Sequence, residues 1–374
     1  MPGLLSEEDK SAKGIAKNSK LYSFDIFDTL VTRRVAQPVG IFSVIEEKIK
    51  HDKKYVDLPE FLKANFAFIR QQTEAYVRRN LFVLLKREDI TIYDIYDEIQ
   101  KNNFLTDIQK QALINLEQDV EINNLVLIKN NFNILLSLIN NGNRVILISD
   151  MYYPLDIMRY ILSSLSPIFE NIKIYISADY NKTKNSGTLF EFVQRAENIE
   201  AKDWIHYGDN KFADIKNASK AGITSIHLPQ LKFKKYEIEV LKKHKNNLQI
   251  QNMLGAGRLC RIDNTENNEI YDFACTFSAP ILYGYVNWVI FKAIEQNIKT
   301  LHFVARDGFV LKEIADIIIQ KYKLNIKTKY IYGSRKAWRI PDENNMDFYI
   351  DCIMSEYKSS LNGDFIAKRF GIRY

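Results

Sequence analysis

Short apolar runs that stop at a polar or acidic residue recur along this chain. LYSF leads into Asp25, RVILIS ends on Ser149 before Asp150, and WIHYG leads into Asp209, while IKIYISA and TSIHL run into polar loops. Apolar runs of this length, bounded by turn signals, read as buried strands. Between them, apolar positions recur at helical spacing in LVLIKNNFNILLSLI, YYPLDIMRYILSSL, GTLFEFVQRAENI and FADIKNASKAG, and Gly142 in NNGN stops the first of these. Strands alternating with helices imply an α/β fold built on a parallel sheet, whose ligands bind outside the carboxyl ends of the strands. Asp25, Ser149, Asp150 and Asp209 all stand at such an end.

The first two strands are separated by a long stretch that reads as helix throughout: VGIFSVIEEKIK, LPEFLKANFAFIRQQTEAYVRR, TIYDIYDEIQ and TDIQKQALINLEQDVEI. That is too long for a connection, so residues 36–139 are expected to be an inserted helical cap, with the sheet domain formed by 20–35 and 140–229. Residues 1–19 read as a flexible leader, because they lack the apolar stretch of a signal peptide. Residues 230–252 read as a basic helical connector, and 253–374 as a second α/β domain. One offset sets Asp150 on Asp307 and Ile174 on Ile331, so this domain is either a degenerate repeat of the first or convergent α/β structure. It has no counterpart of YGDN on an apolar strand. FACTFSAPILYGYVNWVIF (273–291) lacks charge but is interrupted by Pro280, Gly284 and Asn287, so it is read as a buried helix and not as a transmembrane segment.

With 374 residues the chain is long enough for two hydrophobic cores, and 46% hydrophobic against 26% charged residues is ordinary for a globular protein. A net charge of +6 does not argue for nucleic acid at this size. Cys260, Cys275 and Cys352 are widely spaced with no CxxC pair, which fits a reducing cytoplasmic setting and argues against a thiolate metal site.

Carboxylates at strand ends suit phosphoryl transfer when a cation, usually magnesium on oxygen ligands, screens their charge. Asp25 is the candidate nucleophile, with the Thr29 hydroxyl at the start of the next turn. Asp209 is the second carboxylate for the metal, with Asn210 and Asp214 around it. Ser149 and a lysine, Lys182 or Lys184, would serve the phosphoryl oxygens.

FDIFDTL, ILISDM, KTKNSGTLF and YGDNKFAD, in that order, resemble the four motifs of the haloacid dehalogenase (HAD) superfamily. TLVTRRVAQPVGIF, EDITIYDIYDEI, FVARDGFVL and YGSRKAW narrow the resemblance to predicted HAD hydrolases of bacterial capsule and lipopolysaccharide loci. The resemblance implies a HAD-like Rossmannoid core and Mg2+ as cofactor. By position it makes Asp25 the nucleophile that forms an aspartyl-phosphate, Ser149 the phosphoryl-binding hydroxyl and Lys184, the lysine before the GTLF run, the neutralising cation. Asp209 and Asp214 would hold the metal together with Asp25 and the Phe27 carbonyl. The implied substrate is a small phosphorylated sugar or polyol, with polysaccharide-biosynthesis enzymes as the partners such loci suggest.

One position departs from the pattern. Phosphatases of the superfamily carry a second aspartate two residues after the nucleophile, and here that residue is Phe27. Asp28 is one residue late, and in an extended segment its side chain would point away. Three explanations stand: the proton is not needed or comes from the cap; the enzyme attacks carbon, as dehalogenases with an aromatic at this position do; or the domain is a weak binding or assembly module. Arg70, Glu74 and Arg78 share a cap helix face and are read as either substrate contacts or a salt-bridged surface. Arg33 is a further candidate for substrate contact. Arg306, Asp307, Arg335, Lys336 and Arg339 form either an anion cleft in the second domain or structural pairs.

Overall fold

The computed structural model describes residues 21–229, 233–262, 268–333 and 363–364, and the chain divides into two units, Met1–Thr276 and Phe277–Tyr374. The leader and the SRKAWR segment lie outside the described residues. In the first unit the strands are β1 (Leu21–Phe24), β2 (Val31–Arg33), β3 (Leu125–Leu127), β4 (Arg144–Ser149), β5 (Lys173–Ile176), β6 (Trp204–Gly208) and β7 (Thr224–His227). The longer helices are α1 (Gly40–His51), α2 (Glu60–Leu85), α3 (Ile92–Asn103), α4 (Asp107–Asn124), α5 (Lys129–Asn140), α6 (Leu155–Leu165), α7 (Thr188–Glu197), α8 (Lys235–Lys243) and α9 (Leu248–Ile262).

Five strands form one parallel sheet in the order β5-β4-β1-β6-β7. Alternate side chains pack into different cores: Tyr22, Phe24, Leu147 and Ile205 into one, Leu21, Ile146, Ile148 and Trp204 into the other. Because β1 is central and covered on both faces, all four of its residues are buried, and Asp25 emerges from a fully enclosed strand.

The helices α1 to α4 are inserted between β2 and β3, which pair antiparallel with Thr32 opposite Val126. The sequence reading carries helix through Leu125–Leu127. Those residues instead complete a two-stranded stalk with VTR, and the helix begins at Lys129. Inside the cap, Arg70 is fully buried and donates Nε and Nη2 to the two oxygens of Glu117, each at 2.8 Å. Glu117 also accepts from the hydroxyls of Tyr96, Tyr152 and Tyr153. Tyr152 and Tyr153 follow Asp150 in the sheet domain, so one buried ion pair ties the cap to the core. Removing one partner of such a pair leaves an uncompensated buried charge. Arg70→Met is therefore expected to destabilise the fold by about 3–5 kcal/mol, read as a lowered midpoint in urea denaturation.

After the sheet, α8 and α9 return to the stalk. Arg258 of α9 donates Nη2 to the Arg33 carbonyl at 2.9 Å, and a Cβ at Gly255 would overlap the Arg34 carbonyl, so only glycine lets the helix approach there.

In the second unit, α10 (Ala279–Glu295) is followed by β8 (Thr300–Val304), α11 (Gly308–Tyr322) and β9 (Lys327–Ile331), with β8 and β9 parallel. This strand-helix-strand unit repeats the arrangement of β4, α6 and β5. The expectation of a buried helix at 273–291 is corrected. Among the described residues only Val286, Ile290 and Ala293 of α10 are buried, while Ile281, Trp288 and Phe291 are exposed, because two strands and one helix cover a single face of it. Glu269–Glu295 is also long and apolar enough to cross a membrane, by length and composition alone, with mean hydropathy 1.2. Arg306 and Asp307 are fully exposed and face each other at 3.6 Å.

Candidate active site

The carboxyl ends of β1, β4 and β6 open into one cavity of about 230 Å³, lined by Asp25, Phe27, Asp28, Ser149, Asp150, Lys184, Asp209, Asn210, Ala213 and Asp214. Asp25 is buried, its backbone N–H fixed on the Tyr207 carbonyl at 2.8 Å. Lys184 comes from the loop after β5. Its ammonium contacts Asp25 Oδ1 and lies 2.6 Å from Asp214 Oδ1. One oxygen from each of Asp25, Asp209 and Asp214 can be chosen so that all lie within 4.8 Å of one another.

Each side chain has a local cause. Asn210 caps a helical turn wound with i+5 bonds over Lys211–Asn217, accepting from the Phe212 and Ala213 amides on Oδ1. That turn brings Asp214 back under β6, where Asn210 N–H holds its Oδ2 at 3.0 Å. A Cβ at Gly208 would overlap the Asp214 side chain, so the glycine of YGDN makes room for it. The Lys184 backbone is gripped from the sheet side. Asp150 accepts from the amides of Lys184 (2.7 Å) and Asn185 (3.1 Å), and Asn217 donates to both carbonyls. Lys182 takes no part in the cavity.

His206 is a contributor that sequence reading missed. It is fully buried, and burial keeps its ring neutral. Trp204 Nε1, a donor only, reaches Ser23 Oγ at 2.7 Å; Ser23 Oγ lies 2.8 Å from His206 Nδ1, and His206 Nε2 lies 3.2 Å from Asp214 Oδ1. A carboxylate only accepts, so Nε2 carries the proton and Ser23 donates to Nδ1. The available signal was two polar residues, Ser23 and His206, register partners within apolar strands.

Other positions differ from expectation. Thr29 is buried, does not line the cavity and approaches Asp209 Oδ1 at 3.4 Å, so it steadies a carboxylate. Arg33 is buried, bonded to Glu121 at 2.7 Å and stacked on the Phe27 ring at 4.4 Å. Arg70, Glu74 and Arg78 do share a helix face, but they bond to one another, to Glu117 and to Asp89, and none lines the cavity. As substrate contacts these four are corrected to structural pairs. Asp28 is corrected in the opposite sense. The segment is not extended: Asp28 has φ +60°, which turns it to the cavity wall, with Oδ1 held by the Thr32 hydroxyl at 2.7 Å. Non-glycine residues in this backbone region cluster at functional sites.

Electrostatics set the demand for a cation. Burial pushes Asp25 up to about 8 despite the Lys184 ammonium, and pushes Asp209 up to about 6 with help from Asp28 and Asp214. Burial also opposes ionisation of Asp214, but Lys184 and His206 outweigh it and hold that carboxyl well below its usual range. Burial would lower Lys184, and Asp214 and Asp25 overcome it, so the ammonium stays charged. With all three carboxylates ionised against one ammonium, the site carries two negative charges in excess. Hard oxygen donors with that deficit fit one dication such as Mg2+. Its binding must displace the proton on Asp25. Isothermal titration calorimetry at pH 7 is expected to show about one proton released per Mg2+, with affinity rising about tenfold per pH unit between about 6 and 8. Affinity flat across that range would refute this charge balance.

No protein-family model matches the chain, and no curated protein matches it. Among solved structures it is similar to a HAD-family enzyme of Bacteroides thetaiotaomicron, at 16% identity and TM-score 0.39, over 59% of this chain and 99% of that one. The same enzyme's complex with magnesium and inorganic phosphate scores 0.37, at 16% identity over 58% and 98% of the two chains. A 2-haloacid dehalogenase of Pseudomonas syringae pv. Tomato is similar at 15% identity and TM-score 0.39, over 58% and 90%. At these identities and scores the likeness assigns no activity.

Proposed function

We propose that this chain is a HAD-type phosphatase, dependent on Mg2+, that hydrolyses a small phosphate monoester through an aspartyl-phosphate at Asp25. The observation that carries the reading is the convergence of Asp25, Lys184, Asp209 and Asp214 at the carboxyl ends of the central strands, in a cavity that also presents Ser149. Mg2+ held by Asp25, Asp209, Asp214 and the Phe27 carbonyl would screen the carboxylates from the phosphate. Asp25 Oδ forms a bond to phosphorus while the ester P–O bond breaks, with Lys184 and Ser149 facing the phosphoryl oxygens. Asp28 serves as the general acid toward the leaving oxygen. Water then attacks phosphorus, its proton returns to Asp28, and the bond to Asp25 breaks to release inorganic phosphate.

The cavity volume suits a small substrate, and a phosphorylated sugar or polyol of surface-polysaccharide synthesis in the cytoplasm is the class that the sequence motifs suggest. The test is phosphate release from a panel of sugar and polyol phosphates with Mg2+, run beside Asp25→Asn. Chloride release from a halo-acid without phosphate release would replace the reading with a carbon-centred hydrolase. Release from no substrate, with tight binding to a polysaccharide-pathway enzyme, would replace it with an assembly module.

A further inference from the structure

EDITIYDIYDEI begins with two acids, Glu88 and Asp89, that the proposed reaction does not use. They lie in the cap between α2 and α3, yet they bond to the sheet domain. Glu88 Oε2 accepts from the Thr183 amide (3.1 Å), the Thr183 hydroxyl (3.4 Å), the Ser186 hydroxyl (2.6 Å) and the Thr188 hydroxyl (2.7 Å). Asn181 Oδ1 answers by accepting from the Glu88 amide at 2.8 Å. Asp89 Oδ2 accepts from the Ser177 hydroxyl, which in turn takes the Met151 amide at 2.8 Å. Two cap carboxylates therefore hold the loops that carry Lys184 and Asp150.

We propose that Glu88 is a positioning residue for Lys184: a carboxylate delivered by the cap that fixes the outer side of the Thr183–Thr188 turn. Asp150 and Asn217 grip the Lys184 backbone from the sheet side, while the donors that converge on Glu88 have alternatives only within the turn, Thr188 Oγ1 for the Thr183 amide (3.2 Å), Ser186 Oγ for the Thr183 hydroxyl (3.0 Å) and the Thr183 carbonyl for the Ser186 hydroxyl (3.1 Å). One amide and three hydroxyls face Glu88, and a carboxylate, the acceptor-only side chain, can take all of them from one point outside the turn. Lysine has a long flexible stem, and its ammonium stays between Asp25 and Asp214 only if its Cα is held. The cap is thus part of the catalytic alignment although none of its residues lines the cavity.

This inference rests on the preceding reading of Lys184 as the working partner of Asp25. Its test combines two readouts on the full chain with p-nitrophenyl phosphate and Mg2+. Glu88→Ala is expected to lower kcat about 10- to 100-fold, the scale of a 1 Å misplacement, with KM within about threefold. Glu88→Gln, which keeps an acceptor oxygen, should recover most of that loss. Hydrogen exchange should quicken at the amides of 183–187 in Glu88→Ala and stay unchanged in β1, β4 and β6. Wild-type kcat in Glu88→Ala, or unchanged exchange at 183–187, would overturn the proposal. Wild-type protein that releases no phosphate would count against the phosphatase reading instead, and the exchange measurement would still decide whether the cap holds the turn.

Discussion

Asp25→Asn is expected to cut phosphate release by roughly 10⁴- to 10⁶-fold, the scale seen when a nucleophile is removed from a site that acts as a unit. An amide oxygen cannot form the acyl-phosphate, and Lys184 loses one of its two carboxylates while keeping Asp214. The fold should not suffer. Burial raises Asp25 to about 8, so its ionised form is disfavoured in the native state at neutral pH, whereas the unfolded chain ionises it freely. An uncharged isostere removes that penalty, and the thermal midpoint should be unchanged or higher. Loss of activity with a preserved midpoint separates chemistry from folding. Phosphate release at the wild-type rate would remove Asp25 from the mechanism.

The second large effect concerns Asp28. With Phe27 where a proton donor is usual, Asp28→Asn is expected to lower kcat/KM for sugar and polyol phosphates by about 10²- to 10⁴-fold, because an alkoxide leaves poorly without a proton. p-Nitrophenyl phosphate carries a leaving group that needs none. With it the variant should release p-nitrophenol in a stoichiometric burst followed by slow turnover, since the aspartyl-phosphate forms but water lacks its base. Stopped-flow absorbance distinguishes the two phases. Rates within about twofold of wild type on both substrates would exclude Asp28 and return the search to the cap.

The sheet and the strand-end acids were legible because they depend on local pattern. LYSF, RVILIS and WIHYG are apolar runs that end where the backbone must turn to solvent, so Asp25, Ser149 and Asp209 could be placed from periodicity alone. What depended on a distant partner was not legible. Arg70 looks like an exposed helix-face residue until Glu117 and three tyrosines from elsewhere in the chain surround it. Arg33 is likewise decided by Glu121, far along the chain. Asp28 was misread for a different reason: alternation assumes extended backbone, and Asp28 itself, at φ +60°, departs from it. Leu125–Leu127 carry too few residues for their period to separate strand from helix, and only pairing with β2 settles it.

The central place of β1 also has a consequence for how the chain is made. Ser23 meets His206 across the sheet, 183 residues later, and Phe24 takes its other neighbour from β4. At about 5–20 residues per second, the strand that leads into Asp25 leaves the ribosome roughly 10–40 s before its second neighbour exists. The cap helices between them have mostly local contacts and can form first, which draws β2 and β3 together and shortens the loop that β1 must close. An insertion described above as a clamp is, during synthesis, the scaffold on which the Asp25 strand waits.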